Sequence, residues 1–106
     1  MIDYQGKVVL ISGGARGFGA EFAKGFASRG ATVVIGDIID AVGEETARSL
    51  SEGGASCHYV SLDVRKDDDW AAAVDHCVSQ CGGLDVVINN AGIEISELFI
   101  DTTPDD

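Results

Sequence analysis

Basic side chains are scarce in this chain: seven lysines and arginines stand against eighteen aspartates and glutamates, a formal net charge of −11. So acidic a surface repels phosphate backbones and anionic headgroups, which excludes nucleic acid and a membrane surface as partners. A dinucleotide survives that exclusion, because backbone amides at a helix start hold phosphate without a basic surface. Long apolar runs are also missing. The first, Val8–Ile11, meets glycine too soon for a signal-peptide core, and nothing approaches the roughly 18 apolar residues of a membrane span. A cytoplasmic location is expected. The three cysteines, Cys57, Cys77 and Cys81, are an odd number with no Cys-x-x-Cys among them. A secreted disulfide framework is therefore not expected. A single proline beside fourteen glycines fits one compact α/β domain with many tight turns, spanning residues 1–106.

What is present begins at Lys7-Val8-Val9-Leu10-Ile11, a short β-branched run that reads as a buried strand. It leads straight into Ser12-Gly13-Gly14-Ala15-Arg16-Gly17-Phe18-Gly19. Phe18, Phe22 and Phe26 follow at four-residue spacing and predict a helix with one apolar face. A glycine-rich turn between strand and helix lets backbone approach a ligand and aims free N–H groups at it, which suits a pyrophosphate. The glycines at 13, 17 and 19 form a G-x-x-x-G-x-G turn rather than the tighter G-x-G-x-x-G.

Further along, Arg29-Gly30 supplies a helix stop, and Thr32–Gly36 predicts a second buried strand ending on Asp37. Asp40 is the expected N-cap of a second helix burying Val42, Ala47 and Leu50, closed by Gly53-Gly54. Ser56–Leu62 predicts a third strand. Asp67-Asp68-Asp69 places negative charge in the first turn of a third helix, burying Trp70, Val74, Cys77, Val78 and Cys81 before Gly82-Gly83. Leu84–Ile88 predicts a fourth strand running into Asn89-Asn90-Ala91-Gly92. Unbroken alternation of strand and helix is the pattern of a parallel sheet with crossover helices. Right-handed crossovers predict a Rossmann-like doubly wound sheet of four strands and three helices, in the order 3-2-1-4.

Ligands of open α/β sheets bind at the carboxyl ends of the strands, and the polar residues gather there. Asp37 ends the second strand, at the place where an acidic side chain accepts from the ribose hydroxyls of NAD and repels the extra phosphate of NADP. Asp63 ends the third, with a carboxylate able to accept from an adenine amino group. Asn90 can brace neighbouring strands, and Gly92 lets backbone approach a ribose. His58 and His76 stand beside Cys57 and Cys77, but Cys77 and Cys81 fall on the apolar helix face. Both read as small buried hydrophobes, and no metal is expected.

The glycine turn, Asp37, Asp63-Val64 and Asn89 through Gly92 together resemble the short-chain dehydrogenase/reductase family along the whole chain. Ser12 stands where threonine is more usual, and Phe18 where isoleucine or leucine is. The resemblance implies that Gly13, Gly17 and Gly19 contact the cofactor pyrophosphate region, with Arg16, able to reach an adenosine phosphate, and Phe18 as further cofactor-binding residues of the turn, Asp37 and Ile38 at the adenosine ribose, and Asp63 and Val64 at the adenine. Asn90, Ala91 and Gly92 would line the ribose. Arg16 is the kind of residue that accompanies NADP in this family, but Ile38 stands where NADP users carry a second arginine, so NAD is the expected cofactor. The family implies hydride transfer between a nicotinamide cofactor and a secondary alcohol or ketone, a small-molecule substrate, and a homo-oligomer.

One element of that chemistry is missing. The family uses a tyrosine acid/base with a lysine four residues later, whereas Tyr4 and Tyr59 are followed at that distance by Val8 and Asp63. No catalytic residue is assigned, and the 106-residue chain alone is expected to be inactive. Thr103-Pro104-Asp105-Asp106 has the form of a helix start, so a fragment truncated before the catalytic segment is the expectation. A non-catalytic nucleotide-binding or regulatory module is the alternative. A methyltransferase-like domain would share the glycine turn and the acidic second strand without needing Asn89 through Gly92.

Overall fold

The computed structural model describes residues 3–90. Seven elements follow in strict alternation: β1 (Val8–Ser12), α1 (Gly17–Ser28), β2 (Thr32–Asp37), α2 (Asp40–Glu52), β3 (Ser56–Ser61), α3 (Asp67–Cys81) and β4 (Val86–Asn89). The strands form one parallel sheet in the order β3-β2-β1-β4, the expected topology. Val9 pairs with Val33 on one side and Val86 on the other, and Ser12 pairs with Gly36 and Asn89. This register brings the strand ends carrying Gly13, Asp37 and Asn90 to one edge of the sheet.

The strands differ in composition because they differ in position. β1 is buried along its whole length, as a central strand covered on both faces must be. Val9, Ile11, Val33 and Ile35 point to one face, where Ala23, Phe26, Ala47 and Leu50 of α1 and α2 cover them. Val8, Leu10 and Val34 point to the other, beneath Ala73 and Cys77 of α3. Each fully buried aliphatic side chain of this kind contributes about 1.5–3 kcal/mol by leaving water. β4 is paired on one side only among the described residues, and Val87 on the α3 face is 52% exposed.

The helices meet the sheet through smaller residues than the sequence suggests. α1 buries Gly19 and Ala23, with Phe26 and Ala27 packed beside them. Phe18 and Phe22 project into solvent, because four-residue steps drift about 40° per step around a helix of 3.6 residues per turn. In α2 it is Gly43 and Ala47 that are buried, while Val42 is exposed. In α3 it is Ala73 and Cys77, with Trp70 and Cys81 partly covered and Val74 and Val78 exposed. The N-cap of α2 also moves. Ile39 occupies the cap, and Asp40 is the first helical residue, its Oδ1 lying 2.6 Å from the Tyr59 hydroxyl.

Candidate functional site

The carboxyl edge of the sheet opens into a cleft of about 390 Å³ lined by Gly13, Arg16, Asp37–Ile39 and Leu62–Arg65. Six of the expected site residues therefore share one wall: Gly13, Arg16, Asp37, Ile38, Asp63 and Val64. The loop after β1 reaches the cleft through Gly13 and Arg16, while Gly17 and Gly19 stand outside its lining. Gly13 and Gly17 both adopt positive φ, 68° and 62°, a conformation that glycine enters without a Cβ penalty. Gly19 is required for a different reason, since a Cβ there would lie 2.7 Å from the carbonyl carbon of Gly13 and 2.8 Å from the Cα of Gly14. The first turn of α1 thus packs directly against the backbone of the loop.

Hydrogen bonds from three elements hold the loop. The amides of Gly13 and Gly14 both donate to the Gly36 carbonyl, at 2.7 and 3.2 Å. The Ala15 amide donates to Asp37 Oδ2 at 3.1 Å, and the Thr46 hydroxyl donates to the Ala15 carbonyl at 2.6 Å. Asn90 is fully buried and its amide donates to the Gly13 carbonyl at 3.1 Å. Beside it the Ser12 hydroxyl donates to Asn89 Oδ1 at 2.8 Å. The Asn90 bond ties the residue after β4 to the loop after β1, and Asn90 is not among the residues lining the cleft.

α1 starts without a side-chain cap and without an acidic residue in its first turn. Its dipole and leading amides thus face the loop with no negative group of the helix's own, which favours an anion there. Phe18 stands in this turn but is 68% exposed and outside the cleft lining. Ala91 and Gly92 lie outside the described residues.

Two carboxylates face the cleft in different states. Asp37 is half-buried, and its Oδ1 accepts from the amides of Ile38 and Ile39 at 2.7 and 3.3 Å. With Ala15 that makes three backbone donors fixing the carboxylate at the end of β2. The Tyr59 hydroxyl, 2.6 Å from the Asp37 carbonyl, secures the same strand end from below. Asp63 is held by Arg65, whose Nε and Nη2 donate to its two oxygens at 2.9 and 2.8 Å, while the Arg65 amide adds a third bond at 3.0 Å. The Arg65 side-chain and backbone bonds hold the Asp63 carboxyl well below the usual carboxylate range. On its other side the Asp63 amide donates to Asp69 Oδ2 at 2.8 Å, tying the loop to the first turn of α3.

Arg65, Ile39, Thr46 and Tyr59 belong to this construction and were not singled out by the sequence. Arg65 alone left a trace there: an aspartate whose side chain accepts from the amide two residues on is a recurrent turn, and the second residue here is basic. The others act through tertiary position and leave no spacing signal.

A four-stranded parallel sheet in the order 3-2-1-4, with a glycine turn after its first strand and helices on both faces, is a Rossmann-like fold. The comparisons agree. The family model described as short chain dehydrogenase matches residues 7–106, and this chain belongs to that family. The 3-alpha-(or 20-beta)-hydroxysteroid dehydrogenase of Mycobacterium tuberculosis is 49% identical over 88 residues, 83% of this chain and 33% of the relative. Cyclopentanol dehydrogenase of a Comamonas species is 37% identical over 87 residues, 82% of this chain and 35% of the relative. The crystal structure of a hydroxysteroid dehydrogenase from Escherichia coli superposes with a TM-score of 0.79 at 28% identity, covering 82% of this chain and 37% of that one. The chain thus spans about a third of the length of the curated relatives it matches. Among the described residues no helix is long and apolar enough to cross a membrane.

Proposed function

We propose that this chain is the NAD-binding part of a short-chain dehydrogenase/reductase, a single domain that holds the cofactor for hydride transfer to or from a secondary alcohol or ketone. One observation carries the reading: Asp37, fixed by three backbone amides, stands beside the glycine turn in a cleft that also contains Arg16 and Asp63. The uncapped start of α1 suits the pyrophosphate. The Asp37 carboxylate suits the paired ribose hydroxyls, and the Leu62–Val64 wall suits the adenine.

The same carboxylate argues for NAD over NADP. A 2′-phosphate brought to Asp37 would meet a fixed negative charge, with Arg16 and the Asp63-paired Arg65 as the cations of the cleft wall and Ile38 beside Asp37 offering none. The cofactor would accept the hydride from an alcohol or, in its reduced form, give it to a ketone. The residues of this chain bind and orient the cofactor, while proton transfer to the substrate needs an acid/base that the sequence does not contain in the Tyr-x-x-x-Lys form. The 106-residue chain is accordingly a binding unit without turnover. The hydroxysteroid and cyclopentanol dehydrogenases among its relatives support a cyclic or secondary alcohol as the substrate class of the whole enzyme. A homo-oligomer is part of the same reading, with β4, paired on one side only among the described residues, as its candidate contact.

Calorimetric titration with NAD and NADP tests the reading. NAD is expected to bind more tightly. Asp37→Asn removes the charge and keeps an oxygen for the Ile38 and Ile39 amides, while its NH2 replaces the oxygen that accepts from Ala15, so it should weaken NAD and narrow the gap to NADP. A charge-assisted hydrogen bond lost here costs about 1.5–3 kcal/mol, roughly 10- to 150-fold in affinity. Tighter binding of NADP by the unmutated chain would transfer the selectivity to Arg16 and overturn the cofactor assignment.

A further inference from the structure

His58, His76 and Cys81 are far apart in the sequence, yet their donor atoms come within 4.8 Å of one another. The fold does this in two steps. Alternation along β3 turns Cys57 and Tyr59 toward α1 and α2, and therefore His58 toward α3. As the crossover helix to β4, α3 then runs back against the strand direction, which brings its last turns and Cys81 toward the amino ends of the strands. The cluster thus lies away from the cofactor cleft.

The two imidazoles meet edge to face with centroids 5.6 Å apart. Nε2 of His76 is buried and has no hydrogen-bond partner among the described residues. A buried polar atom without a protein partner is uncommon in a settled core and leaves a nitrogen free for a ligand or a water. All three residues are half-buried, so the cluster is shielded yet reachable from solvent.

We propose that His58, His76 and Cys81 form a binding site for a zinc-class divalent cation that clamps the edge strand β3 to the C-terminal turns of α3. Two imidazole nitrogens and one thiolate are a borderline-soft donor set, suited to tetrahedral zinc with water as the fourth ligand. Metal–nitrogen and metal–sulfur bonds of about 2.0–2.3 Å put tetrahedral donors roughly 3.3–3.7 Å apart. The donor atoms, already within 4.8 Å of one another, need to approach by roughly 1 Å at most to reach that range. The Cys81 thiol gives its proton to solvent as the bond to the metal forms, and no electron is transferred. A set split between a strand and a helix has no Cys-x-x-Cys spacing, which is why the sequence pointed away from metal. Cys77, one turn before Cys81, is fully buried beneath the sheet and behaves as the expected hydrophobe.

Cobalt and zinc titrations of the 106-residue chain test this site. One Co²⁺ per chain is expected, with thiolate-to-cobalt charge transfer and the strong visible absorption of tetrahedral geometry. Zn²⁺ should displace it and raise the thermal midpoint. Cys81→Ser should abolish the charge-transfer band. His58→Gln and His76→Gln should each weaken binding tenfold or more, while Cys57→Ala, on the other face of the sheet, should leave it intact. A second measurement needs no variant: Zn²⁺ should slow alkylation of Cys81 at least tenfold and leave that of Cys57 unchanged. Octahedral cobalt without a thiolate band, equal midpoint shifts in unmutated and Cys81→Ser protein, or unprotected Cys81 would each overturn the proposal.

Discussion

Replacing Gly19 by alanine should damage the fold before it damages any ligand contact. The new Cβ would sit 2.7 Å from the Gly13 carbonyl carbon and 2.8 Å from the Gly14 Cα. Ordinary carbon contacts begin near 3.5 Å, so the loop and the start of α1 must separate by roughly 0.7 Å or more. Nothing there yields as the tip of a flexible side chain would, because both obstacles are backbone. Moving Gly13 also strains its bond to the Gly36 carbonyl and the bond it accepts from Asn90. Overpacking of this kind costs about 1–3 kcal/mol, and each strained hydrogen bond adds on the order of 1 kcal/mol. These add to about 3–5 kcal/mol, and for a domain of this size each 1 kcal/mol lowers the thermal midpoint by roughly 4–8 °C.

Gly17→Ala is the informative companion. No atom beyond its chain neighbours and its own helix backbone lies within 4 Å of its added Cβ, so its cost is the positive φ, about 1–2 kcal/mol. If the cofactor pyrophosphate occupies that open space, Gly17→Ala should lose NAD affinity out of proportion to its modest loss of stability. Thermal denaturation followed by circular dichroism, with NAD titration on the same samples, measures both quantities. An unchanged midpoint for Gly19→Ala would refute the close approach. Unchanged NAD affinity in Gly17→Ala would refute the placement of the cofactor.

Two further outcomes follow from the same geometry. The Asp63 carboxyl, held low by Arg65, should titrate well below the ordinary aspartate range. Its contribution to stability is then complete above the unfolded value near pH 4 and is lost as pH falls through the depressed folded value. Arg65→Ala should move the Asp63 titration upward, as read by carboxyl carbon chemical shifts, and an unmoved titration would refute the pairing. Val87→Lys places a charge on the exposed face of β4, a strand paired on one side only among the described residues. It should reduce self-association in sedimentation experiments, and an unchanged association state would show that β4 is not the contact.

The sheet was legible because its information is local. β-Branched runs bounded by glycine mark β1 and β2, and strict alternation leaves few topologies to choose among. The helix faces were harder to read. Phe18, Phe22, Val74 and Val78 carry the hydrophobicity, but Gly19, Ala23 and Ala73 occupy the seams beside the expected Cys77, because small residues let a helix lie close on a sheet. At the site, the glycine turn and Asp37 were readable from spacing, and Asn90 from the segment that ends β4. Thr46 holding the Ala15 carbonyl, Tyr59 under Asp37 and the His58–His76–Cys81 cluster arise only when distant elements meet. No periodicity records such meetings.

The most direct test of the account is an amide chemical-shift titration of the chain with NAD. It predicts saturable shifts centred on residues 13–19, 37–39 and 62–65, with those around His58 and Cys81 unmoved. Shifts centred elsewhere, or none at saturating NAD in a folded chain, would contradict it.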